Sequence, residues 1–214
     1  MEKTIERLAL YRRLLKNQGK SGLSHIFSHQ LAEISGYSAA VVRRDFMNLG
    51  YYGTPRHGYE IKALLDCLDT FFHKPEVKTL ILVGAGNLGR ALITYFIKDK
   101  SEYNLAAAFD RDPLKTNIKY SGCPCHALEQ LPDVVAETGA EVGIITVPAE
   151  HAQATADLLV ENNIKGILNF APVTLSVPET VYVENVDLAL MLEKVLYFAL
   201  YQAPPEEASP LEKS

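Results

Sequence analysis

Apolar residues in this chain follow two rhythms. In the first third they recur at helical spacing, as in Ile5, Leu8, Tyr11 and Leu15, which gathers them on one helix face. Asn17-Gln18-Gly19 should end that helix. A second is predicted to start at Ser28, whose hydroxyl suits an N-cap, to run through Gln30-Leu31-Ala32-Glu33-Ile34 and to stop at Gly36. Ser38 should cap a third, Ala39 to Leu49, which Gly50 terminates. Tyr51 to Ile61 reads as strand, turn and strand bracketed by Gly53 and Gly58. A short helix to Phe72 and a linker at Lys74-Pro75-Glu76 complete this part. From Val77 onward buried strands and amphipathic helices alternate, as a parallel sheet requires. The strands are Thr79–Val83, Leu105–Phe109, Glu141–Pro148, Gly166–Phe170 and Thr180–Asn185, with helices at Arg90–Phe96 and Ala149–Asn162. A closing helix, Asp187 to about Gln202, is apolar on nearly every side, so it needs burial on all sides. At a chain end a second subunit provides that most easily.

Two short helices joined by a Gly-containing turn make a helix-turn-helix. In its second helix Val41 or Val42, Phe46 and Leu49 can turn inward while Arg43, Arg44 and Asn48 turn out. That arrangement suits a major groove whose guanine edges accept from guanidinium groups. The Gly53–Gly58 hairpin reads as a wing whose tip, Arg56 and His57, can enter a narrow minor groove. The alternative is a three-helix bundle with a solvated basic face.

The run Thr79–Val83 enters Gly84-Ala85-Gly86-Asn87-Leu88-Gly89, a helix follows, and Asp110 closes the next strand. Strand, Gly-rich turn, helix, strand and acid together form the dinucleotide-binding fingerprint. Gly84 makes the tight turn, Gly86 lets the backbone approach a pyrophosphate, and Gly89 lets the helix pack closely. The helix N-terminus faces the phosphates with free N–H groups. Asp110 can take the ribose diol and repels a 2′-phosphate, which favours NAD+ and NADH over their phosphorylated counterparts. The loops after Val147 and after Phe170 lie at strand carboxyl ends, where doubly wound sheets bind ligands.

The composition, 48% hydrophobic and 22% charged, is that of an ordinary globular chain. No apolar run reaches the ~18 residues of a membrane span, and the N-terminus lacks a signal-peptide core, so a cytoplasmic location is expected, without membrane partners. The net charge of −5 conceals an asymmetry. Residues 1–62 hold ten Lys and Arg against five Asp and Glu, a net +5, and the remainder holds eleven against twenty-one, a net −10. A basic head on an acidic body can present only one end to a polyanion. Cys67, Cys123 and Cys125 fit a reducing compartment. Cys123-Pro124-Cys125 reads as two loop thiols, since no second pair completes a metal set; no metal is expected. The histidines are poor catalysts by position: His25, His29 and His57 lie in the head, His73 in the linker and His126 in a loop. Only His151 can approach a nicotinamide.

A dinucleotide fold does not imply hydride transfer. A basic head and a cofactor fold leave no residues for a substrate domain, so the dinucleotide reads as a signal and the chain as a non-enzyme. The competing readings are a small NAD-dependent oxidoreductase with a basic N-terminal head and, third, a CoA-binding module, against which the carboxylate of Asp110 argues.

The chain resembles the bacterial redox-sensing transcriptional repressor Rex family over essentially its whole length. The resemblance rests on Gln30-Leu31-Ala32, Val42-Arg43-Arg44-Asp45-Phe46, Tyr52-Gly53-Thr54 with Gly58-Tyr59, and Leu82 to Gly89 with Phe109-Asp110. It continues through Thr146-Val147-Pro148, Ala152-Gln153, Ala156-Asp157, Ile164 to Pro172 and Asn185-Val186-Asp187-Leu188. It implies an α/β protein with an N-terminal winged helix-turn-helix domain (1–75) and a Rossmann-like NAD(H)-binding domain (76–186). A C-terminal dimerisation helix (187–202), domain-swapped between subunits, and a disordered tail (203–214) follow. It implies a homodimer on a palindromic operator, released when NADH binds. The implied cofactor residues are Gly84, Ala85, Gly86, Asn87, Leu88, Gly89, Asp110, Arg111, Thr146, Val147, Pro148, Asn169, Ala171 and Pro172. The implied DNA contacts are Ser38, Arg43, Arg44, Asp45, Asn48, Tyr52, Thr54, Arg56 and His57. Arg13, Tyr95 and Asp187 match the family's switch, in which an arginine, a tyrosine hydroxyl and a carboxylate exchange partners.

Overall fold

Leu8, Tyr11 and Leu15 are buried along one face of the first helix, α1 (Glu2–Lys20). The computed structural model describes residues 2–72, 78–98 and 103–201, and the chain divides into two units, Met1–Glu76 and Val77–Ser214. His73, the linker Lys74–Glu76 and the expected tail lie outside the described residues.

In the first unit α1 is followed by β1 (His25–Ile26), α2 (Ser28–Ser35), α3 (Ala39–Asn48), β2 (Tyr59–Glu60) and α4 (Ile61–Phe72). Tyr11, Leu31, Val42, Phe46, Tyr59 and Leu64 form its core. The Phe46 ring stands edge-on to both Tyr11 (5.5 Å) and Tyr59 (5.0 Å). Three local expectations change. Residues 17–19 do not end α1, which continues to Lys20. Phe27, not Ser28, is the N-cap of α2; its N–H donates to Gln30 Oε1 at 2.8 Å. Finally, the second strand of the wing, β2, pairs antiparallel with β1 from before α2, leaving Thr54 and Gly58 to close the tip through two 2.8 Å backbone bonds.

Asp45 is 1% exposed. Arg7 donates to its two carboxylate oxygens through Nε (2.6 Å) and Nη2 (2.7 Å), and the Tyr11 hydroxyl lies 3.4 Å away. The expectation that Asp45 contacts DNA is therefore corrected: its carboxylate faces inward and ties α3 to α1. The hydrogen bond to Asp45 raises the Arg7 pKa, and burial, seconded by the Asp45 charge, pushes the Tyr11 phenol up to about 12.

The second unit contains β3 (Lys78–Val83), α5 (Asn87–Lys98), β4 (Tyr103–Asp110), β5 (Ile118–Tyr120), β6 (Cys123–Ala127) and α6 (Leu131–Thr138). It continues through β7 (Val142–Ile145), α7 (Ala149–Glu161), β8 (Gly166–Asn169), β9 (Tyr182–Asn185) and α8 (Leu188–Tyr201). The strand order is β5-β6-β4-β3-β7-β8-β9, parallel except for β5 against β6. Alternation along β3 sends Ile81 and Val83 to the layer containing Leu131, Ala152, Ala156 and Leu159, and Leu80 and Leu82 to the layer containing Ile93. The chain winds outward from β3 through β4 to β6, then returns to β7 on the other side. A crevice opens at such a reversal, beyond the strand carboxyl ends.

Cys123 and Cys125 lie on β6 and not in a loop; alternation points both into the second apolar layer, where each is buried. His126, also on β6, packs its ring beside Phe109 at 5.9 Å. Burial is the main cause that pushes both thiols up to about 11. On α8, Leu188, Leu190, Met191, Leu192, Val195, Leu196, Tyr197, Phe198 and Leu200 are each at least 50% exposed. Within one chain the apolar helix is uncovered.

Two outcomes follow from these buried groups. At pH 8 a thiol reagent should titrate at most one cysteine per native chain, Cys67, and all three after denaturation. Between pH 9 and 11 the native chain keeps two protons that the unfolded chain loses, so the urea midpoint should fall as pH rises through that window. Cys123→Ala/Cys125→Ala should flatten the slope below pH 10. Asp45→Ala, which strands the Arg7 guanidinium in a largely buried position, should destabilise the head by about 3 kcal/mol in urea melts, and Arg7→Met/Asp45→Leu should recover much of it.

Candidate functional site

A crevice of about 800 Å³ lies at the carboxyl ends of β3, β4 and β7. The Gly-rich loop forms its floor. Gly84 has φ +107°, and a Cβ there would sit 2.8 Å from the Thr146 carbonyl carbon. A Cβ on Gly89 would collide with the Gly84 carbonyl oxygen, so α5 can start this close to β3 only with glycine. A Cβ on Gly86 would meet nothing within 4 Å; that space belongs to the crevice. The loop is held from both sides. The Gly84 N–H donates to Phe109 O at 2.7 Å, and the Thr146 hydroxyl donates toward Gly84 O (2.7 Å) and Val83 O (3.1 Å). Arg90 N–H bonds to Gly86 O at 3.0 Å and closes the first turn of α5. Asn87, Leu88 and Gly89 consequently have no carbonyl one turn back, which leaves the start of the helix suited to an anion.

Asp110, at the end of β4, is 8% exposed. Its Oδ2 accepts from Ala85 N–H (2.8 Å) and its Oδ1 from Asp112 N–H (2.9 Å), with Lys115 Nζ 3.6 Å from Oδ2. Each carboxylate oxygen keeps a further lone pair, enough for a ribose diol. A crevice of this volume, an open Gly86, a helix terminus at its floor and an acceptor-only carboxylate fit a dinucleotide.

Among the expected cofactor residues, Gly84, Gly86, Asn87, Leu88, Asp110, Arg111, Thr146, Val147 and Pro148 line the crevice. Five do not. Ala85 is fully buried with its N–H spent on Asp110, and Gly89 is taken up by its contact with Gly84. Asn169 is 0% exposed and Ala171 5%; Pro172 is exposed, off the lining. Ala85, Gly89, Asn169 and Ala171 are buried and contribute no lining surface. Asp112, Lys115, Leu128, His151, Ala154, Thr155 and Phe170 line it as well. Lys115 ends a short 3₁₀ turn, Pro113–Lys115, capped by Asp112, and the Asp112-Pro113 start of that turn was the available sequence signal. The helical start after Pro148 brings His151 in.

In the head, Val42 and Phe46 of α3 are buried while Arg43, Arg44 and Asn48 are exposed. Ser38 Oγ caps α3 by accepting from Val41 N–H at 3.3 Å. Arg43 Nη1 donates to Ser28 Oγ at 3.1 Å, so one guanidinium spans both helices of the pair. Tyr52 is 69% exposed, and Thr54, Arg56 and His57 stand exposed at the wing tip, where Thr54 Oγ1 accepts from His57 N–H at 3.1 Å. Of the expected switch residues, Arg13 is exposed on α1 and Tyr95 is 68% exposed on α5. Asp187 caps α8, its Oδ1 accepting from Leu190 N–H at 3.0 Å.

Gly89→Ala should abolish dinucleotide binding in a calorimetric titration while leaving the head's helical signal intact. Thr146→Val, which removes only the hydroxyl clamp, should weaken binding about tenfold, or ~1.4 kcal/mol.

Comparison with known proteins places this geometry. A CoA binding domain model matches residues 76–173, the sheet region, and a model for a putative DNA-binding protein N-terminus matches residues 2–46. The redox-sensing transcriptional repressor Rex of Listeria welshimeri serovar 6b is 38% identical over 195 residues, 91% of each chain. That of Pelotomaculum thermopropionicum is 40% identical over 201 residues, 94% of each. Crystal structures of RSP, a Rex-family repressor, superpose with a TM-score of 0.83 at 35% identity, covering 93% of this chain and 94% of that one. Its complex with β-NAD+ and operator DNA gives 0.86 at 35% identity over 93% and 92%, and its complex with β-NADH gives 0.82 at 34% over 93% of each. By this similarity along nearly its full length, head and sheet together, the chain belongs to the Rex family of redox-sensing transcriptional repressors.

Proposed function

We propose that this protein is a DNA-binding repressor, and not an enzyme, that reads the balance of NADH and NAD+ and leaves its operator when NADH binds. The observation that carries this reading is one chain holding both a dinucleotide crevice and an arginine-bearing recognition helix, similar over 93% of its length to a repressor solved with β-NAD+ and operator DNA and with β-NADH. Gly84, Gly86 and the N-terminus of α5 receive the pyrophosphate, and Asp110 with Arg111 the adenosine ribose. Thr146, Val147, Pro148 and Phe170 are left for the nicotinamide half. On the DNA side, Arg43, Arg44 and Asn48 address base edges in the major groove and Ser38 the adjoining backbone. Tyr52, Thr54, Arg56 and His57 follow the wing into the minor groove.

The protein acts in the cytoplasm as a homodimer. The uncovered apolar residues of α8 supply the reason: nine large side chains at least half exposed need a partner, and a second copy covers them when the helices exchange. Two heads related by a two-fold axis then read a palindromic operator. NAD+ carries a charged planar ring and NADH a neutral puckered one. Only a difference in their affinities for two arrangements of the dimer can shift the equilibrium. A tenfold preference is worth ~1.4 kcal/mol, and full release requires several times that. Arg13, Tyr95 and Asp187 change partners between those arrangements; in the arrangement where Asp187 keeps its cap on α8, its second oxygen is available to a guanidinium.

Fluorescence anisotropy on a short palindromic, A/T-flanked duplex tests the reading. Micromolar NADH should reverse binding, and NAD+ should leave it intact or strengthen it. Tight NADH binding without effect on DNA, or no DNA binding at low salt, would refute it.

A further inference from the structure

Asn169 ends β8 with a completely buried amide that the crevice does not touch. A buried amide is costly unless its hydrogen bonds are made, and here they are made to two different segments, the loop that follows β8 and the end of β9. Its Oδ1 accepts from Ala171 N–H at 3.0 Å, enclosing Phe170, a lining residue of the crevice, in a tight turn. Its Nδ2 donates to Val173 O (2.8 Å), with Ala171 O at 3.2 Å, and thereby shapes the rest of that loop. The same Nδ2 donates to Asn185 Oδ1 at 2.8 Å. Because Asn169 Oδ1 is committed to an N–H, the orientation of its amide is determined, and Asn185 must present oxygen to it.

Asn185 is the register partner of Asn169 at the last rung of the β8–β9 ladder, and Val186 N–H donates to Asn169 O at 2.8 Å. Two residues beyond Asn185, Asp187 caps α8 through its carboxylate to Leu190 N–H and its carbonyl to Met191 N–H, both at 3.0 Å. One amide therefore lies between a crevice residue and the root of the apolar helix.

We infer that the Asn169–Asn185 pair is the positioning device that passes the state of the crevice to α8. This inference rests on the repressor reading above. A displacement of Phe170 carries Ala171 N–H with it, the Asn169 amide must follow, and the partner it pulls on is the strand end that holds Asp187. Neither asparagine lines the crevice.

Asn185 is exposed, so replacing it removes the tie and leaves the loop clamp of Asn169 in place. In the full-length protein, NADH binding followed by calorimetry and operator binding followed by anisotropy with and without NADH are compared for wild type, Asn185→Ala and Asn185→Asp. For Asn185→Ala the expected result is NADH affinity and nucleotide-free operator affinity within about twofold of wild type. The factor by which NADH weakens operator binding should shrink about tenfold. Asn185→Asp, which keeps an acceptor oxygen, should restore that factor. An unchanged factor in Asn185→Ala overturns the inference. So does a parallel loss of melting temperature, NADH affinity and operator affinity, the mark of a merely structural residue. A wild-type protein that ignores NADH on DNA overturns the repressor reading and, with it, this one.

Discussion

The crevice depends on one close approach of two backbones. α5 begins so near the end of β3 that the Gly84 carbonyl occupies the space a Cβ of residue 89 would need. That proximity leaves the N–H groups of the helix terminus at the crevice, so the capacity to receive an anion there is a property of main chain, not of side chains. It is stabilised from outside. Thr146 closes on the Val83 and Gly84 carbonyls from β7, and Phe109 O takes the Gly84 N–H from β4. Three strand ends thus hold the loop, and the ligand meets a surface that needs no rearrangement to receive an anion.

The head is organised by a second interaction of a different kind. Arg43, Arg44 and Asn48 face outward because Val42 and Phe46 face inward and because Asp45 is pinned beneath them by Arg7. A buried ion pair contributes little net stability. Its two parallel N–H···O bonds instead define the rotation of α3 about its axis relative to α1. The exposed guanidiniums depend on that rotation.

A pattern joins the two units: polar side chains that motif spacing marks as contacts turn out to be inward supports. Asp45 lies among exposed neighbours expected to contact DNA yet is buried, and Asn169 lies in a run of expected cofactor residues yet is 0% exposed. Sequence could not separate these roles, since both are compatible with the same local pattern and differ only in which partner from a distant segment arrives. Arg7 is 38 residues from Asp45, and Asn185 is 16 from Asn169. Cys123 and Cys125 were misplaced for a related reason. A three-residue strand, β5, and a strand containing proline, β6, carry little periodicity, and only the pairing of β6 with β4 and of β5 with β6 makes them part of the sheet.

By itself the sequence determined the helical head, its basic charge, the alternation of strands and helices, and the fingerprint from Gly84 to Asp110, because each is written in local spacing and residue type. The family resemblance was equally legible, since it too is a matter of consecutive residues. Tertiary structure alone decided which strands are neighbours, that β2 completes the wing by pairing with β1, and that Asp112, Lys115 and Leu128 border the crevice. It also decided that Asn169 reaches from the crevice wall to the root of α8. These are long-range pairings, and one chain segment cannot specify the hydrogen-bond partner it will meet only after the sheet has closed.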